Sequence, residues 1–160
     1  VTVLYGPDAG TITLSPNQTS YECVESSSLS VICSADCYPN CQYRWTGPGL
    51  GNYGNTGVLF IAEIKRNQTG VFTCTSNNPK LTSKSATATV YVIVFYGPDS
   101  PLQLFPVNTS YRLVEGATLS DINCTSDCFP TCDFHWTGPV TSLTGVISLG
   151  KVNRSVRGNY

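Results

Sequence analysis

Cysteine is the residue type most able to do chemistry in this chain, because the 160 residues include eight cysteines and only one histidine. Cysteine thiolates bind soft metals such as zinc, whereas in oxidising compartments cysteines form disulfides instead. Six of the eight belong to a cassette written twice, each time followed by tryptophan: Cys33, Cys37, Cys41 and Trp45, then Cys124, Cys128, Cys132 and Trp136. The cassette recurs at an offset of 91 residues, so the chain is a tandem array of one small module.

Two further segments extend the repeat and give the size of the module. Tyr5-Gly6-Pro7-Asp8 returns as Tyr96-Gly97-Pro98-Asp99, and Asn17-Gln18-Thr19-Ser20-Tyr21 returns as Asn108-Thr109-Ser110-Tyr111. One unit is therefore about 90 residues long. We predict two domains, residues 1–94 and 95–160, with the Tyr-Gly-Pro-Asp element as the joint between them. Units of this size have small cores, which disulfides commonly reinforce.

The composition indicates a secreted all-β protein, because Ser, Thr, Gly and Pro are abundant and only 12% of the residues are charged. A net charge of -1 gives no basic surface for nucleic acid or an anionic membrane. The longest strongly apolar run, Val90 to Tyr96, is far shorter than the roughly 20 residues of a membrane helix. The first residues do not resemble a signal peptide, so we expect Val1 to be an internal or mature-chain residue.

Asparagine gives a second indication of the compartment, because the chain contains five Asn-x-Ser/Thr acceptors for N-glycans. The acceptors are Asn17, Asn67, Asn108, Asn123 and Asn153. Asn123 lies in a predicted strand directly before Cys124, and it points outward if Cys124 points inward. We therefore expect an extracellular glycoprotein whose only attached groups are covalent N-glycans, with no cofactor.

Short apolar and β-branched runs separated by turn residues predict an antiparallel sheet protein, because no stretch has a helical period of useful length. The strands predicted in the first unit are Thr11–Leu14, Leu29–Ser34, Gln42–Thr46, Val58–Ile64, Gly70–Ser76 and Ser83–Val92. Alternation places Cys33 and Cys74 on inner faces, so these cysteines meet across the core. The chain-entropy estimate for a disulfide closing such a loop is roughly 4 kcal/mol. Trp45 is placed to cover it.

The inner cysteines of each cassette are predicted to form local disulfides, Cys37 with Cys41 and Cys128 with Cys132. An extended five-residue stretch holds its ends about 13 Å apart, whereas a disulfide requires Cα atoms about 5 to 6 Å apart. The loop must therefore reverse, and a central proline favours that turn. A metal site made of Cys-x3-Cys-x3-Cys is disfavoured, because the first cysteine belongs to the core disulfide and an oxidising compartment favours disulfides.

The remaining cysteine, Cys23, has Leu113 as its counterpart in the repeat, so the first unit has an odd number of cysteines. An odd cysteine in a secreted chain indicates either an intermolecular bond or a buried free thiol. The sequence leaves both alternatives open.

The signature Cys33, Trp45 and Gly70-x-Phe72-x-Cys74 resembles that of the immunoglobulin superfamily. The short distance from Trp45 to Cys74 resembles the C2 or I type. The Tyr-Gly-Pro-Asp joints, the Asn-x-Thr-Ser-Tyr segment and Leu59-Phe60-Ile61 further resemble the C2-type domains of carcinoembryonic-antigen-related cell adhesion molecules and similar invertebrate adhesion proteins. The resemblance implies tandem immunoglobulin-like β-sandwiches.

Two positions depart from that signature. Gln68 stands where an aspartate is usual, and Phe72 replaces the tyrosine whose hydroxyl makes the tyrosine-corner hydrogen bond. The second unit keeps this tyrosine as Tyr160.

Aligning Gly70-Val71-Phe72-Thr73-Cys74 with Gly158-Asn159-Tyr160 indicates that the second unit is truncated before its core cysteine, which leaves Cys124 unpaired. We expect such a unit to expose a strand edge and to uncover Trp136. Either the sequence is a fragment of a longer array, the favoured alternative, or another chain supplies the missing strands by β-strand addition. Strand addition would give a strand-exchange oligomer, and the unpaired cysteines would allow a covalent one.

No catalytic arrangement is recognisable, so we predict a protein that is not an enzyme. The resemblance implies cell adhesion or recognition through protein contacts, including self-association, on the sheet that contains the third and fifth strands. The outward positions there are Gln42, Arg44, Thr73, Thr75, Asp133 and His135. The alternative is a structural repeat segment of an extracellular glycosylated fibre or matrix, favoured by the short repeated joints and the dense glycan acceptors.

Overall fold

The computed structural model describes residues 1–51, 56–98 and 101–160. The chain divides into two compact units, Val1–Tyr96 and Gly97–Tyr160, so the boundary lies two residues beyond the predicted one. Asp99 of the second Tyr-Gly-Pro-Asp element lies outside the described residues. Regular structure is almost entirely β, which confirms the predicted fold class.

Unit 1 contains seven strands among its described residues. They are β1 (Thr13–Ser15), β2 (Ser20–Val24), β3 (Leu29–Ser34), β4 (Gln42–Thr46), β5 (Val58–Ile61), β6 (Gly70–Asn78) and β7 (Leu81–Phe95). A 3₁₀ helix at Arg66–Gln68 connects β5 to β6. The strands form a three-stranded sheet in the order β1-β3-β5 and a four-stranded sheet in the order β2-β7-β6-β4.

The two sheets of unit 1 pack face to face around one core, because buried residues alternate with exposed ones along the strands. Val31, Leu59, Phe72 and Val92 are completely buried in this core, and Trp45 is almost completely buried. All the pairings are antiparallel except that of β2 with β7, which is parallel.

The main difference from the predicted strands of unit 1 is β2, which the sequence did not predict. Tyr21 and Cys23 alternate inward within it, but its partner β7 lies about 70 residues away along the chain. The predicted strand Val58–Ile64 ends at Ile61, because the backbone of Ile64 bonds instead to Ser26 and Ser27. β7 is longer than predicted because it pairs with β6 on one side and with β2 on the other.

Unit 2 has shorter strands: β8 (Gln103–Phe105), β9 (Thr118–Leu119), β10 (Ile122–Thr125), β11 (Val146–Ile147) and β12 (Gly150–Lys151). They form a sheet in the order β11-β10-β8 and a pair β12-β9. β8, β10 and β11 correspond to β1, β3 and β5 of unit 1. Trp136 makes only an isolated bridge with Ser142 where unit 1 has the full strand β4.

The Tyr5–Asp8 segment packs against the rest of unit 1. Tyr5 and Tyr38 exchange backbone hydrogen bonds of 3.1 and 3.0 Å, and their rings stack. The buried side-chain amide of Asn78 donates to the carbonyl oxygens of both tyrosines. A Cβ on Gly6 would lie 2.3 Å from the Cβ of Lys84, so only glycine fits this approach. The segment is therefore clamped between the Cys37–Cys41 loop and the β6–β7 hairpin.

Candidate interaction surface

Three disulfides organise the two units. Cys33 on β3 and Cys74 on β6 join the two sheets of unit 1, with their Cα atoms 6.5 Å apart. Cys37 bonds Cys41, with a Cα distance of 5.2 Å. In unit 2 the bond between Cys128 and Cys132 has a Cα distance of 5.4 Å. The inner pairs therefore close local loops, and the loop in unit 1 holds Tyr38 where it meets Tyr5 and Asn78.

Cys23 and Cys124 are buried thiols without a disulfide. Cys23 lies on β2 within the core of unit 1, where it pairs in register with Val94. Burial raises the pKa of the Cys23 thiol, so the reactive thiolate is scarce at neutral pH. This placement favours the buried free thiol over the intermolecular bond. Cys124 lies on β10 and lines an open groove of about 390 Å³ in unit 2.

The two cassette tryptophans have different surroundings. Trp45 packs in the core, and its Nε1 donates to the carbonyl oxygen of Gly57 at 3.1 Å. Trp136 is only half-buried and lines the same groove as Cys124 and Leu104. Its Nε1 has no hydrogen-bond partner among the described residues, although it is shielded from water. The core of unit 2 is therefore open beside Trp136.

Among the described residues, no group of three or more His, Cys, Asp and Glu residues has a metal-binding arrangement. His135 is exposed, as is Asp133. No helix within residues 1–51, 56–98 and 101–160 is long and apolar enough to cross a membrane.

The outward face of the four-stranded sheet, called here the threonine face, carries rows of polar side chains that are uncharged except for Arg44. The rows follow the strand register and are Gln42–Asn77–Ser85, Arg44–Thr75–Thr87 and Thr46–Thr73–Thr89. Neighbouring strands lie about 4.8 Å apart, so the hydroxyl and amide groups form a regular array. In the described structure these side chains make no hydrogen bonds to other groups of the protein, which leaves them available to a partner.

An apolar pair borders these rows on the same face. Val71 on β6 is directly opposite Tyr91 on β7, and both point outward. Val71 is 52% exposed and Tyr91 is 44% exposed. Tyrosine combines a large apolar ring with a polar hydroxyl and is enriched at protein interfaces. The threonine face therefore has an apolar contact point beside a polar area, with Arg44 as the positive charge within the rows.

An ion pair in unit 1 joins the turn after β2 to the 3₁₀ helix before β6. The Arg66 guanidinium donates to the Glu25 carboxylate at 2.6 and 3.0 Å, and the Arg66 backbone N–H donates to it at 3.0 Å. These bonds lower the pKa of Glu25 to about 2. Arg66 also stacks over the ring of Tyr96 at 4.0 Å. In unit 2 the corresponding pair, Arg154 and Glu115, lies at 3.2 Å and is more exposed.

The glycan acceptors lie outside the strands that form the threonine face. Asn17, Asn67, Asn108 and Asn153 are exposed, and Asn123 is half-buried on β10 beside the buried Cys124. None of the five lies on β2, β4, β6 or β7. Asn123 occupies the outward face of the β11-β10-β8 sheet, at the position where unit 1 carries the exposed Ile32.

Solved structures of Ig domains share the architecture of this chain. No family model matches the chain. A crystal structure of the N-terminal four Ig domains of Dscam1 isoform 7.44 matches it with a TM-score of 0.62 and 16% identity over 99% of this chain. In unit 1 a disulfide joins the two sheets beside a buried tryptophan, which is the core arrangement of the immunoglobulin fold. The structural match extends over both units. The chain consists of tandem immunoglobulin-like domains.

Two further matches support the same immunoglobulin fold. Dscam1 isoform 4.44 gives a TM-score of 0.60 at 16% identity over 99% of this chain. The full ectodomain of mouse nectin-like molecule 4, Ig1–Ig3, gives 0.54 at 17% identity over 98% of this chain. The chain covers 41% and 42% of the Dscam1 chains and 59% of the nectin-like chain. The C2 or I type and the resemblance to carcinoembryonic-antigen-related molecules stay predictions.

Some of the surface residues of the immunoglobulin-like units could be predicted from the sequence, and others could not. Sequence patterns predicted Gln42, Arg44, Thr73 and Thr75 as outward residues, and the structure places them together on the threonine face. Tyr91 and Asn78 were not predicted, because their neighbours are set by the register in which β7 pairs with β6. Alternation along residues 85–93 could have identified Tyr91 as outward. Tyr160, expected to act as the corner tyrosine, donates its hydroxyl to the Val156 carbonyl oxygen at 2.8 Å.

Proposed function

We propose that the chain is a non-enzymatic segment of an extracellular glycoprotein that acts in cell adhesion or recognition through protein contacts. The observation that carries the proposal is the threonine face, whose polar groups are not used by the protein itself and which includes an exposed apolar pair. The matched nectin-like structure is an ectodomain. Three disulfides support an oxidising, extracellular compartment.

The composition of the threonine face suits a wet, specific contact. Tyr91 and Arg44 belong to the residue types that dominate interface energetics. The surrounding hydroxyl and amide groups bind a partner directly or through bridging water. Because only one charge lies within the three rows, long-range steering of a charged partner is weak there. The face therefore selects its partner by shape and hydrogen bonding.

N-glycans at the five acceptors fit this arrangement. No acceptor lies on β2, β4, β6 or β7, so no glycan would be attached to the threonine face itself. Asn123 would place a glycan on the β11-β10-β8 sheet of unit 2. Peptide mapping after enzymatic release of N-glycans tests each acceptor separately, and unmodified asparagine at all five positions in the native protein would contradict a glycoprotein.

Adhesion of coated beads tests the proposal. Beads carrying the chain are expected to adhere to one another or to cells, and Tyr91→Lys is expected to reduce adhesion at least tenfold. Val58→Lys is the matched control, because Val58 is 42% exposed but lies on the other sheet of unit 1. Loss of adhesion in both variants, or in neither, would contradict a role for the threonine face, as would absence of adhesion by the unmodified chain.

A structural segment of an extracellular fibre or matrix is the second candidate function. It is supported by the clamp on Tyr5–Asp8, which makes the repeated joint element part of a folded unit and limits bending at that point. Electron microscopy of the native material separates the two candidates. Ordered polymers favour the fibre, whereas monodisperse rods favour the recognition protein.

A further inference from the structure

The outward face of the β11-β10-β8 sheet in unit 2 carries apolar side chains on both sides of a glycan acceptor. Asn123 on β10 lies directly opposite Phe105 on β8 and directly opposite Val146 on β11. Residues directly opposite each other on neighbouring strands project from the same face of a sheet, with their Cβ atoms about 4.5–5.5 Å apart. The row Phe105–Asn123–Val146 therefore places the acceptor between an aromatic ring and an aliphatic side chain.

Both apolar side chains of this row face solvent. Phe105 is 69% exposed and Val146 is 39% exposed, whereas Ile147, the next residue on β11, is buried. Apolar surface left in water forgoes the roughly 25 cal/mol per Å² that its burial contributes. Among the described residues of unit 2, no side chain covers the ring of Phe105, so the row offers apolar surface for a group attached beside it.

The corresponding row of unit 1 has a different order of polar and apolar residues. It is Ser15–Ile32–Val58, in which Ile32 takes the place of Asn123 and Ser15 takes that of Phe105. Strands β1, β3 and β5 carry no acceptor. The aromatic ring and the acceptor thus occur together in unit 2 and are both absent from the row in unit 1. This joint change favours a role for the ring beside the acceptor.

The side chain of Asn123 is placed for modification. Asn123-Cys124-Thr125 is an Asn-x-Thr acceptor, and Asn123 points outward because Cys124 points into the core. Within the described structure, the Asn123 side-chain amide makes no hydrogen bond to another protein group. The amide nitrogen that would carry the sugar is therefore not used by the fold.

We propose that the N-glycan on Asn123 folds back onto this row, with its first sugar residue packed on the ring of Phe105 and beside Val146. The inference rests on the proposed function, because it requires an extracellular glycoprotein. The first sugar of an N-glycan is N-acetylglucosamine, whose ring presents a face of C–H groups. These groups carry a slight positive charge and pack well on the negative face of an aromatic ring.

The distances within the row suit this packing. The sugar is bonded directly to the side-chain nitrogen of Asn123, and Phe105 begins only about 5 Å away across the strands. Packing there orders the first sugar and covers the apolar row with a bulky hydrophilic group. Because exposed apolar patches are sites of protein association, the glycan closes this sheet of unit 2 to protein contacts.

NMR of the chain secreted from a glycosylating host, with isotope-labelled sugars, tests the packing directly. We expect nuclear Overhauser effects between the first sugar on Asn123 and the ring protons of Phe105. The signals of that sugar should also move upfield, because they lie over an aromatic ring. The first sugars on Asn17 and Asn153, which are exposed acceptors, serve as internal references without such shifts.

The rate at which a peptide N-glycosidase releases each glycan from the folded protein provides a second measurement. Phe105→Ser is expected to speed release at Asn123 about tenfold, whereas Phe105→Tyr keeps an aromatic face and should keep release slow. Phe60→Ser is the matched control, because Phe60 is 51% exposed on the corresponding sheet of unit 1. It should leave release at Asn123 unchanged, and denaturation should remove the differences among all the variants.

Several results would overturn the packing. A bare Asn123 in the native protein rules it out, as does a first sugar without contacts to Phe105. Contacts to Phe105 from the glycan on Asn108, which follows β8, would assign the ring to a different glycan. Unchanged release in Phe105→Ser, or equal effects of Phe105→Ser and Phe60→Ser, would show that the ring does not hold the sugar.

The packing and the proposed function can fail separately. Glycans at other acceptors together with a bare Asn123 would leave the extracellular glycoprotein standing and exclude the packing. Unmodified asparagine at all five acceptors would contradict both. Since the bead test measures the threonine face of unit 1, a failure there leaves the contact between the glycan and Phe105 intact.

Discussion

At the scale of single residues, folding lowers the pKa of the Glu25 carboxyl group. Hydrogen bonds from the Arg66 backbone and guanidinium hold its carboxylate in place, and its pKa falls from 4.5 to about 2. A group whose pKa is lower in the folded state stabilises the fold above its unfolded pKa, and this contribution is lost as pH falls toward the folded pKa. The ion pair therefore matters above pH 4.5 and fades between 4.5 and about 2.

Replacing Glu25 with glutamine is expected to lower the melting temperature of unit 1 at neutral pH. The variant should also flatten the pH dependence between 4.5 and about 2, because the group that titrates there is gone. Thermal unfolding followed by circular dichroism at a series of pH values measures both effects. Glu63→Gln is the control, because its ion pair with Lys65 is exposed and contributes little. Equal pH profiles for Glu25→Gln and the unmodified protein would be inconsistent with this assignment.

Cys23 and Cys124 provide a second residue-scale prediction, because both are buried thiols in different settings. Cys124 lines the open groove of unit 2, whereas Cys23 is enclosed in the core of unit 1 and has a raised pKa. A maleimide at neutral pH is expected to label Cys124 several-fold faster than Cys23, as measured by peptide mass spectrometry. Denaturant should remove the difference. Faster labelling of Cys23 in the native protein would show that β2 is not closed over it.

At the scale of elements, the buried side chain of Asn78 contributes to the clamp on Tyr5–Asp8. The Asn78 amide donates to the Tyr5 and Tyr38 carbonyl oxygens and accepts from the Lys80 backbone N–H. Asn78→Ala removes these three hydrogen bonds, whereas the two carbonyl oxygens keep their backbone partners, and it is expected to cost about 1–3 kcal/mol in the free energy of unfolding. Urea denaturation measures this loss. Asn77→Ala, on the half-exposed neighbouring position, is the control and should stay within about 0.5 kcal/mol of the unmodified protein.

The local disulfide of unit 1 belongs to the same element, because it shapes the loop that carries Tyr38. Replacing both Cys37 and Cys41 with serine is expected to lower the free energy of unfolding by about 2 kcal/mol on the loop-length estimate. It should also raise hydrogen exchange at the Tyr5 and Tyr38 amides, which bond each other. Unchanged exchange at both amides would show that the loop keeps its conformation without the disulfide.

The elements also show how far the sequence predicts this fold. Alternation identified the inward residues of β3, β4 and β6, because each of these strands has one buried face. It did not reveal β2, whose parallel pairing with β7 joins residues far apart in the chain. Nor did it reveal Asn78, because its carbonyl partners meet only after the hairpin and the N-terminal segment pack together. Alternation of apolar and polar residues predicts individual strands. The rows of the threonine face depend on the register between strands, and the clamp on Tyr5–Asp8 depends on contacts between segments that are distant in the sequence.

At the scale of the whole molecule, the two units have unequal cores. In unit 1 the two sheets pack against each other around a continuous buried core, and the Cys33–Cys74 disulfide joins them. In unit 2 only Cys124 and Ile147 are buried hydrophobic residues among those described, and Trp136 borders an open groove. Since burial of apolar surface is the dominant stabilising contribution, unit 2 should open first.

Hydrogen exchange with mass spectrometry at increasing urea concentration separates the two units without any substitution. Peptides from β10 and β11 are expected to lose protection at a lower urea concentration than peptides from β6 and β7. Reducing the disulfides provides an internal control, because loss of the Cys33–Cys74 link removes about 4 kcal/mol from unit 1 and should move its transition toward that of unit 2. A single coincident transition before reduction would show that the two units unfold as one cooperative body, despite their unequal cores.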